Sequence, residues 1–444
     1  MKILLVQPLI KEPKWFVGHN LEPATSRAAA SAYEQQIALI LLFWGVAEPL
    51  ALEMVAAGIP LHHEVRILDL RLEADGALER ELAAFQPDIV GVTCMFTCST
   101  RITLQTIRQI RAGAPKAFII VGGSAPSLAP EHFDDPAVSA IALGEGERIL
   151  PPLLERLEKG RAWQDLPGLA YRANGVLQRT ANRPLLLEDL SEVRPAARHL
   201  VEHYGERYRT MQRRISLIST SRGCPFRCSF CTVQTMYGGR YRCLSAERAV
   251  DEIEHSPGDF LVFTDDNFLV DVRRARTIAE SLLDRGIARN YFWQARTDGI
   301  ARHPDLIRLW KQVGLNDVFL GLESPDDAQL EGLKKQTTGA VNQKAITILN
   351  ELGINIWGSF IVNPAFNEDD FARLHQYVRH AGITYPVFAV LTPFPGTELW
   401  EQQQGHLTTH DLDYFDTTHV VVPTKLPLPR FYHLYFNLFN AVLS

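Results

Sequence analysis

Arg222–Gly223–Cys224–Pro225–Phe226–Arg227–Cys228–Ser229–Phe230–Cys231 places three of the chain's six cysteines in a CxxxCxxC spacing. Three thiolates in so short a loop can face one cubic iron–sulfur cluster, while a tight loop cannot easily supply a fourth, which leaves one iron with an open coordination position. A zinc loop is the competing reading. Structural zinc wants four protein ligands, and the next cysteine, Cys243, stands well downstream, outside the paired short hooks that zinc sites use. An apolar run at 215–219 predicts a strand leading into the loop. The cysteines therefore sit at the carboxyl end of a strand, and the flanking sequence is read from there.

Toward the C-terminus, further strands are expected at 260–264, 291–295, 317–322, 354–362 and 387–391, with helices between them. Six βα units in a row predict a partial (β/α)6 barrel of the TIM type, with its active residues at the carboxyl ends of the strands. Polar groups recur at those ends: Asp265, Asp266 and Asn267, then Arg296, then Glu323, then Asn363. Singly, each is an ordinary capping or surface residue; the recurrence is what carries information. In the tail, Phe431, Leu434, Tyr435, Leu438, Phe439 and Val442 follow the i, i+3, i+4, i+7 rule of an amphipathic helix. A helix that caps the barrel is expected, with a membrane or lipid-substrate contact as the alternative.

Toward the N-terminus, strands are expected at 1–6, 64–70, 89–94, 117–121 and 138–143, alternating with helices at 48–57, 77–85 and 103–112 and another opening at Gly144–Glu145–Gly146–Glu147. This is the α/β rhythm of a Rossmann-like open parallel sheet, whose ligands bind at the carboxyl edge of the strands. Gly122–Gly123–Ser124 and Gly144–Glu145–Gly146 fall at that edge. No GxGxxG follows the first strand, which disfavours a dinucleotide. Residues 168–182 predict a hairpin turning at Ala173–Asn174–Gly175, and 189–204 a polar, proline-interrupted linker. The organisation expected is a first domain at 1–158, hairpin and linker at 159–212, barrel at 213–400 and a helical appendage at 401–444.

Charged residues at 22% and hydrophobic ones at 46% are ordinary globular values. A formal charge of −6 argues against a nucleic-acid binder that relies on phosphate contacts. Residues 1–10 are apolar but run into Lys11 and Lys14 without a cleavage signal, and the longest apolar stretch, 37–47, is too short to cross a bilayer. Six cysteines in such a chain point to metal or catalytic use in a reducing cytosol, so a cytoplasmic location is expected. Cys94 and Cys98 read as small buried apolar residues, and His62 and His63 as surface residues.

The cysteine loop resembles the cluster loop of the radical S-adenosylmethionine (SAM) superfamily, and the likeness extends over nearly the whole chain. It implies a 4Fe–4S cluster on Cys224, Cys228 and Cys231, with SAM chelating the open iron. By the same resemblance Phe230 is the aromatic residue beside the third cysteine. Asp265, Asp266 and Asn267 lie toward the methionyl amine, Arg296 toward the carboxylate and Glu323 toward the ribose. Ile356 opens the segment beside adenine, in which Asn363 replaces a frequent glycine, and Pro393 marks the exit of the sixth strand. Placed before such a barrel, the first domain resembles the cobalamin-binding domain of class B radical SAM methylases. Gly122, Gly123, Ser124, Gly144, Glu145 and Gly146 would then line the nucleotide tail, and Val92 to Ser99, with Thr93 and Ser99 among them, the loop beneath the corrin. The DxHxxG motif is absent, which implies cobalamin held without a histidine on cobalt.

The flanks at 47–53 and 417–427 resemble hopanoid methylases and the bacteriochlorophyll side-chain methylases, implying a bulky, largely apolar substrate. The implied activity is C-methylation of an unactivated carbon through a 5′-deoxyadenosyl radical and methylcobalamin, with no side chain assigned as acid, base or nucleophile. A flavodoxin or ferredoxin would supply electrons, and the substrate would be a small molecule. Two alternatives stand beside it. One is a cobalamin-linked radical reaction without methyl transfer, such as cyclisation or ring contraction. The other is a non-catalytic cobalamin or cluster sensor, which would not need candidate SAM ligands at four strand ends. A methylthiotransferase is disfavoured because its first domain should carry three cluster cysteines, and this one has two.

Overall fold

Ile3, Leu4, Leu5 and Val6 are all buried, so the first strand has no solvent face and must be covered on both sides, as in a parallel sheet. In the computed structural model, which describes residues 1–10, 45–180, 183–210 and 213–440, this strand is β1 (Lys2–Gln7). Lys11, Lys14, Asn182, Val442 and most of the apolar stretch at 37–47 lie outside the described residues. Parallel neighbours of β1 are β2 (Glu64–Asp69) and β3 (Ile89–Thr93), and the sheet continues through β4 (Phe118–Gly122) and β5 (Ala140–Ala142). Ile3 and Leu5 pack with Leu52, Ala56, Ile149 and Leu153 of the helices Leu50–Gly58 and Gly146–Glu158. Leu4 and Val6 pack on the other face, with Leu78 and Leu82 of Ala77–Phe85 and Ile107 and Ile110 of Thr100–Gly113. The period of two along the strand thus sorts alternate residues into two cores.

The expected hairpin forms as β6 (Leu169–Ala173) and β7 (Val176–Arg179). Asn174 and Gly175 have φ of 52° and 79°, the two positive values that a type I′ turn requires. Ile141 pairs antiparallel with Ala170, so the hairpin extends the first sheet.

The second sheet begins with β8 (Arg209–Thr210) and β9 (Arg213–Ile218). A separate two-stranded ladder follows, β10 (Ser221–Arg222) with β11 (Arg242–Cys243). The sheet then resumes through β12 (Phe260–Phe263), β13 (Asn290–Arg296), β14 (Leu315–Glu323), β15 (Asn355–Val362) and β16 (Tyr385–Val390). Its order is β16–β15–β14–β13–β12–β9–β8, parallel from β9 onward, with β8 antiparallel at one edge. The six expected strands form an open half-barrel. The tail helix Leu428–Asn440 buries Phe431, Tyr435, Leu438 and Phe439 in the barrel core, and Tyr435 Oη donates to Phe388 O at 2.9 Å. Each such side chain contributes about 1.5–3 kcal/mol.

One hydrophobic core crosses from the first sheet to the amino end of the barrel: Ile3 and Leu52 share it with Val201, Tyr204, Ile215, Phe260, Phe292 and Trp357. The linker enters as a 3-10 segment, Arg198–Arg207. At this junction Glu48 accepts from Leu217 N at 2.7 Å and pairs with Arg198. Glu53 is fully buried and both its carboxylate oxygens lack a hydrogen-bond partner. Burial, followed by the charge of Glu48, pushes its carboxyl up to about 8.

Candidate cofactor sites at two facing strand edges

The cysteine loop is pinned at both ends by backbone and carboxylate contacts. Asp265, fully buried, accepts from Thr220 N at 2.8 Å, Thr220 Oγ1 at 2.6 Å and Ser221 Oγ at 2.5 Å. Asp266 accepts from Gly223 N at 2.7 Å. Gly223 has φ of 88°, and a Cβ there would lie 1.9 Å from Arg240 O, so only glycine can make this turn. Farther on, Ser229 N donates to Leu333 O at 3.2 Å and Ser229 O accepts from Leu399 N at 2.9 Å. Cys224 and Cys228 between these anchors, and Cys231 just past Ser229, are half-buried free thiols. Burial pushes the Cys224 thiol up and that of Cys231 to about 11. Three soft sulfur donors on one short loop fit an iron–sulfur cluster. Cys243 stands opposite Ser221 on β11, with Arg274 and Asp271 as its charged neighbours.

Beside the loop, two buried cations meet at the strand ends. Arg296, the last residue of β13, donates from Nε to Asp298 Oδ1 at 3.0 Å and from Nη2 to Lys335 O and Gln336 O. Its Nη1 lies 3.9 Å from Cys228 Sγ, and its guanidinium carbon 3.6 Å from the centroid of the Phe226 ring. Glu323 ends β14 with φ of 59°, a left-handed conformation rare for a non-glycine residue, and accepts from Lys335 Nζ at 2.6 Å. A Cβ on Gly321 would lie 2.6 Å from Lys335 Nζ and 2.7 Å from Glu323 Oε1. Asn267 is buried and its Oδ1 has no partner, an orphan acceptor of the kind an ammonium donor satisfies. These residues can receive the amine, carboxylate and hydroxyls of SAM.

The structure gathers most of the sequence-derived residues at this edge, with three qualifications. Asp265 and Asp266 engage the backbone of the loop approach. Phe230 is half-buried within the loop, and Pro393 lies buried just past β16. Ile356 does not belong here. It lies one residue into β15, at the amino end of the strand, fully buried in the core. Val362 stands six positions farther on, about 20 Å along an extended strand, so Ile356 cannot line an adenine site at the carboxyl edge. Lys335 was missed, because the tandem Lys334–Lys335 reads as surface. Lys334 is exposed and pairs with Glu398 at 2.5 Å, whereas Lys335 turns inward.

The first sheet ends differently. Thr93, buried at the end of β3, pairs with Gly122. Gly123 has φ of 111°, and a Cβ there would lie 2.4 Å from Cys94 O. Ser124 Oγ donates to Met95 O at 2.6 Å, and the buried Ser99 hydroxyl lacks a partner. Met95 and Phe96 are 52% and 56% exposed at this edge. Two large apolar side chains held out over a glycine-tight turn fit the face of a broad flat ligand such as cobalamin. Cys94 is buried, as expected, and burial pushes its thiol up to about 12. Gly144 packs on Leu185, where a Cβ would meet Leu185 O at 2.1 Å, and Gly146 packs on Val55. Both oxygens of Glu145 are taken by Arg222, Arg242 and Leu187 N. Contrary to the surface reading, His63 is buried while His62 is exposed. Both lie at the amino end of the sheet with Glu158, their ligand atoms within 4.8 Å of one another.

The two carboxyl edges face one another. Helix Ser124–Leu128 packs beside Thr232–Tyr237, the helix that follows Cys231. Thr235 Oγ1 donates to Gly396 O at 2.8 Å, and Gly396 in turn lies against Leu128. Arg101 pairs with Asp413 from the segment after the barrel.

Comparison with known proteins agrees with this geometry. Residues 38–154 match the B12 binding domain and residues 218–378 the Radical SAM superfamily. The hopanoid C-3 methylase of Methylococcus capsulatus is 31% identical over 391 residues, covering 87% of this chain and 74% of that protein. The bacteriochlorophyllide d C-8(2)-methyltransferase of Chlorobaculum tepidum is 24% identical over 393 residues, covering 84% of this chain and 80% of that protein. Among solved structures, the cobalamin-dependent SAM radical enzyme OxsB, with aqua-cobalamin and SAM bound, superposes with a TM-score of 0.77 at 17% identity, covering 99% of this chain and 66% of that one. Among the described residues no helix is long and apolar enough to cross a membrane. With a B12 binding domain whose glycine-tight edge faces the cysteine loop of a radical SAM half-barrel, the chain belongs to the cobalamin-dependent radical SAM methyltransferases.

Proposed function

We propose that this protein methylates an unactivated carbon of a bulky, largely apolar small molecule held in the seam between the two strand edges. The observation that carries the reading is the opposition of the edges. The cysteine loop lies on one side and the Met95–Phe96 edge on the other, bridged by helices Ser124–Leu128 and Thr232–Tyr237. When bound, the cluster with SAM supplies a 5′-deoxyadenosyl radical and cobalamin supplies the methyl group.

The chain's own residues bind and orient. Cys224, Cys228 and Cys231 would hold the cluster as thiolates. The buried Glu323–Lys335 pair presents a carboxylate to the ribose hydroxyls and an ammonium to the carboxylate of SAM, with Asn267 Oδ1 accepting from its amine. Arg296 props the loop through Phe226 and Cys228. Met95 and Phe96 would offer apolar area to cobalamin, and Gly122, Gly123 and Ser124 would let the backbone approach it closely. No acid or base is assigned, since abstraction and transfer at saturated carbon leave no proton for a side chain to carry. A flavodoxin or ferredoxin supplies electrons, in the cytoplasm. The functional units run 1–158, 213–400 and 401–444, joined by 159–212, whose hairpin is paired to the first sheet.

The test is anaerobic purification with cobalamin supplied, then iron, sulfide and cobalt analysis and incubation with SAM labelled in its methyl group. About four irons and one cobalt per chain are expected, with label in the product of an apolar acceptor. Label recovered only in SAM, methionine and methylcobalamin, with a rearranged and unlabelled product, would replace methylation by a cyclisation or ring contraction. Four irons without cobalt would remove the basis for methyl transfer altogether.

A further inference from the structure

The approach to the cysteine loop is a ladder of two residues per strand. Ser221 pairs with Cys243 and Arg222 with Arg242, so two arginines stand directly opposite one another. Like charges so placed destabilise a strand pair, and a two-stranded ladder this short is not stable by itself. The compensating charge comes from the first domain. Glu145 Oε1 accepts from Arg222 Nη1 at 2.8 Å and Arg242 Nη2 at 3.0 Å. Its Oε2 accepts from Arg242 Nη1 at 2.8 Å and Leu187 N at 2.6 Å. Glu147 Oε1 takes Arg222 Nη2 at 2.5 Å, and Arg242 Nη1 also donates to Leu187 O at 2.8 Å. Two carboxylates thus face two guanidinium groups, with side chains only 4% to 12% exposed. Burial pushes the Glu145 carboxyl up, but the hydrogen bonds from Arg242 and the charge of Arg222 outweigh it and hold it below the usual range.

Two further facts give this cluster leverage. Arg222 stands two residues before Cys224, and the intervening Gly223 is fixed by its φ of 88° and by the bond of its N–H to Asp266. Glu145 in turn follows Gly144, which is locked on Leu185. A shift of the first domain's turn is therefore passed to the first cysteine through rigid backbone. A buried ion cluster is weak evidence for stability, since apolar replacements of equal volume are often as stable; its better attested use is to fix one register.

We infer that Glu145, with Glu147, Arg222 and Arg242, is a positioning clasp that sets the cysteine loop relative to the ligand edge of the first domain, rather than a contact to the cobalamin tail. The inference rests on the reading of Cys224, Cys228 and Cys231 as cluster ligands.

The test compares the native holoenzyme with Glu145→Gln and with the charge-balanced pair Glu145→Gln/Arg242→Gln, which does not strand a buried arginine. Three quantities are measured: amide hydrogen exchange in the 223–231 peptide, hydroxocobalamin affinity by visible titration, and the SAM concentration that changes the electron paramagnetic resonance signal of the reduced cluster. Exchange in 223–231 is expected to rise roughly tenfold or more and the SAM requirement to rise comparably in both variants, with hydroxocobalamin affinity within about twofold of native. A roughly tenfold loss of hydroxocobalamin affinity with loop exchange unchanged would overturn the clasp in favour of a cofactor contact. Three unchanged quantities would overturn it in favour of a passive ion cluster. If the native chain takes up neither iron nor cobalamin, the cofactor reading fails. The exchange comparison on the metal-free chain still decides the clasp.

Discussion

The two carboxyl edges are built by the same rule and furnished in opposite ways. At the barrel edge, charge does the work: Glu323 with Lys335, Arg296 with Asp298, and three thiols in a loop anchored by Asp266. At the edge of the first sheet, among the described residues, the ion pair is a peripheral one, Arg101 with Asp413. The ligand face there is backbone, two hydroxyls and the exposed Met95 and Phe96, and its nearby carboxylate, Glu145, turns away to the barrel. A small zwitterion on a metal centre needs point charges at fixed distances. A broad, mostly apolar ring system needs close approach and area. On the proposed reading, the same topology yields a chelating site and a stacking site, and the contents of the strand ends decide which.

That contrast can be broken most forcefully at the loop. Cys228→Ala should abolish the cluster's visible absorbance and cleavage of SAM to 5′-deoxyadenosine while hydroxocobalamin still binds; retained cleavage would refute the loop as the cluster site. The converse change is Gly123→Val. It forces a β-branched residue into φ of 111° and a Cβ to 2.4 Å from Cys94 O, and roughly a hundredfold loss of hydroxocobalamin affinity is expected with iron content unchanged. Native affinity in that variant would mean that cobalamin lies elsewhere. Glu323→Gln sharpens the barrel side alone, with about a tenfold weaker SAM affinity and an intact cluster expected. Equal affinity by isothermal titration would remove Glu323 from the ribose site.

An effect on stability alone, with no change in cofactor binding, is expected beneath both edges, at Glu53. Its folded carboxyl, pushed up to about 8 from an ordinary 4.5, disfavours the ionised form in the native state. Its contribution is therefore most favourable below about pH 4.5 and is lost progressively as pH rises toward about 8. Glu53→Gln should match the native chain near pH 5 and exceed it by roughly 1–3 kcal/mol near pH 8.5, read from urea midpoints. Parallel midpoints across that range would show that Glu53 is compensated in solution.

Much of this was legible because periodicity and glycine placement are local. The strand at 215–219 entering the cysteine loop, the Asn174–Gly175 turn and the helix at 77–85 all formed where the pattern put them. What could not be read was set by side-chain direction across the fold. Nothing in a Lys-Lys pair says which lysine turns inward, and β10 and β11 are too short to carry a period. Glu145 reads as a ligand-lining residue because it sits in a glycine-rich turn at the correct edge; the approach of Arg222 and Arg242 from the β10–β11 ladder, with Leu187 N, occupies it. Ile356 differs for a simpler reason, since a segment that matches a strand does not say which end of it a given residue occupies.

The core that runs from Ile3 and Leu52 through Tyr204 to Phe292 and Trp357 bears on how such proteins can be recombined. A cut near residue 212 would leave the barrel floor as a bare apolar surface, and the detached first half would lose the same area. The halves are thus poor cassettes: a chimera that borrows a cobalamin module from a relative must import the matching floor of the barrel with it, or fail at folding before substrate choice is ever tested.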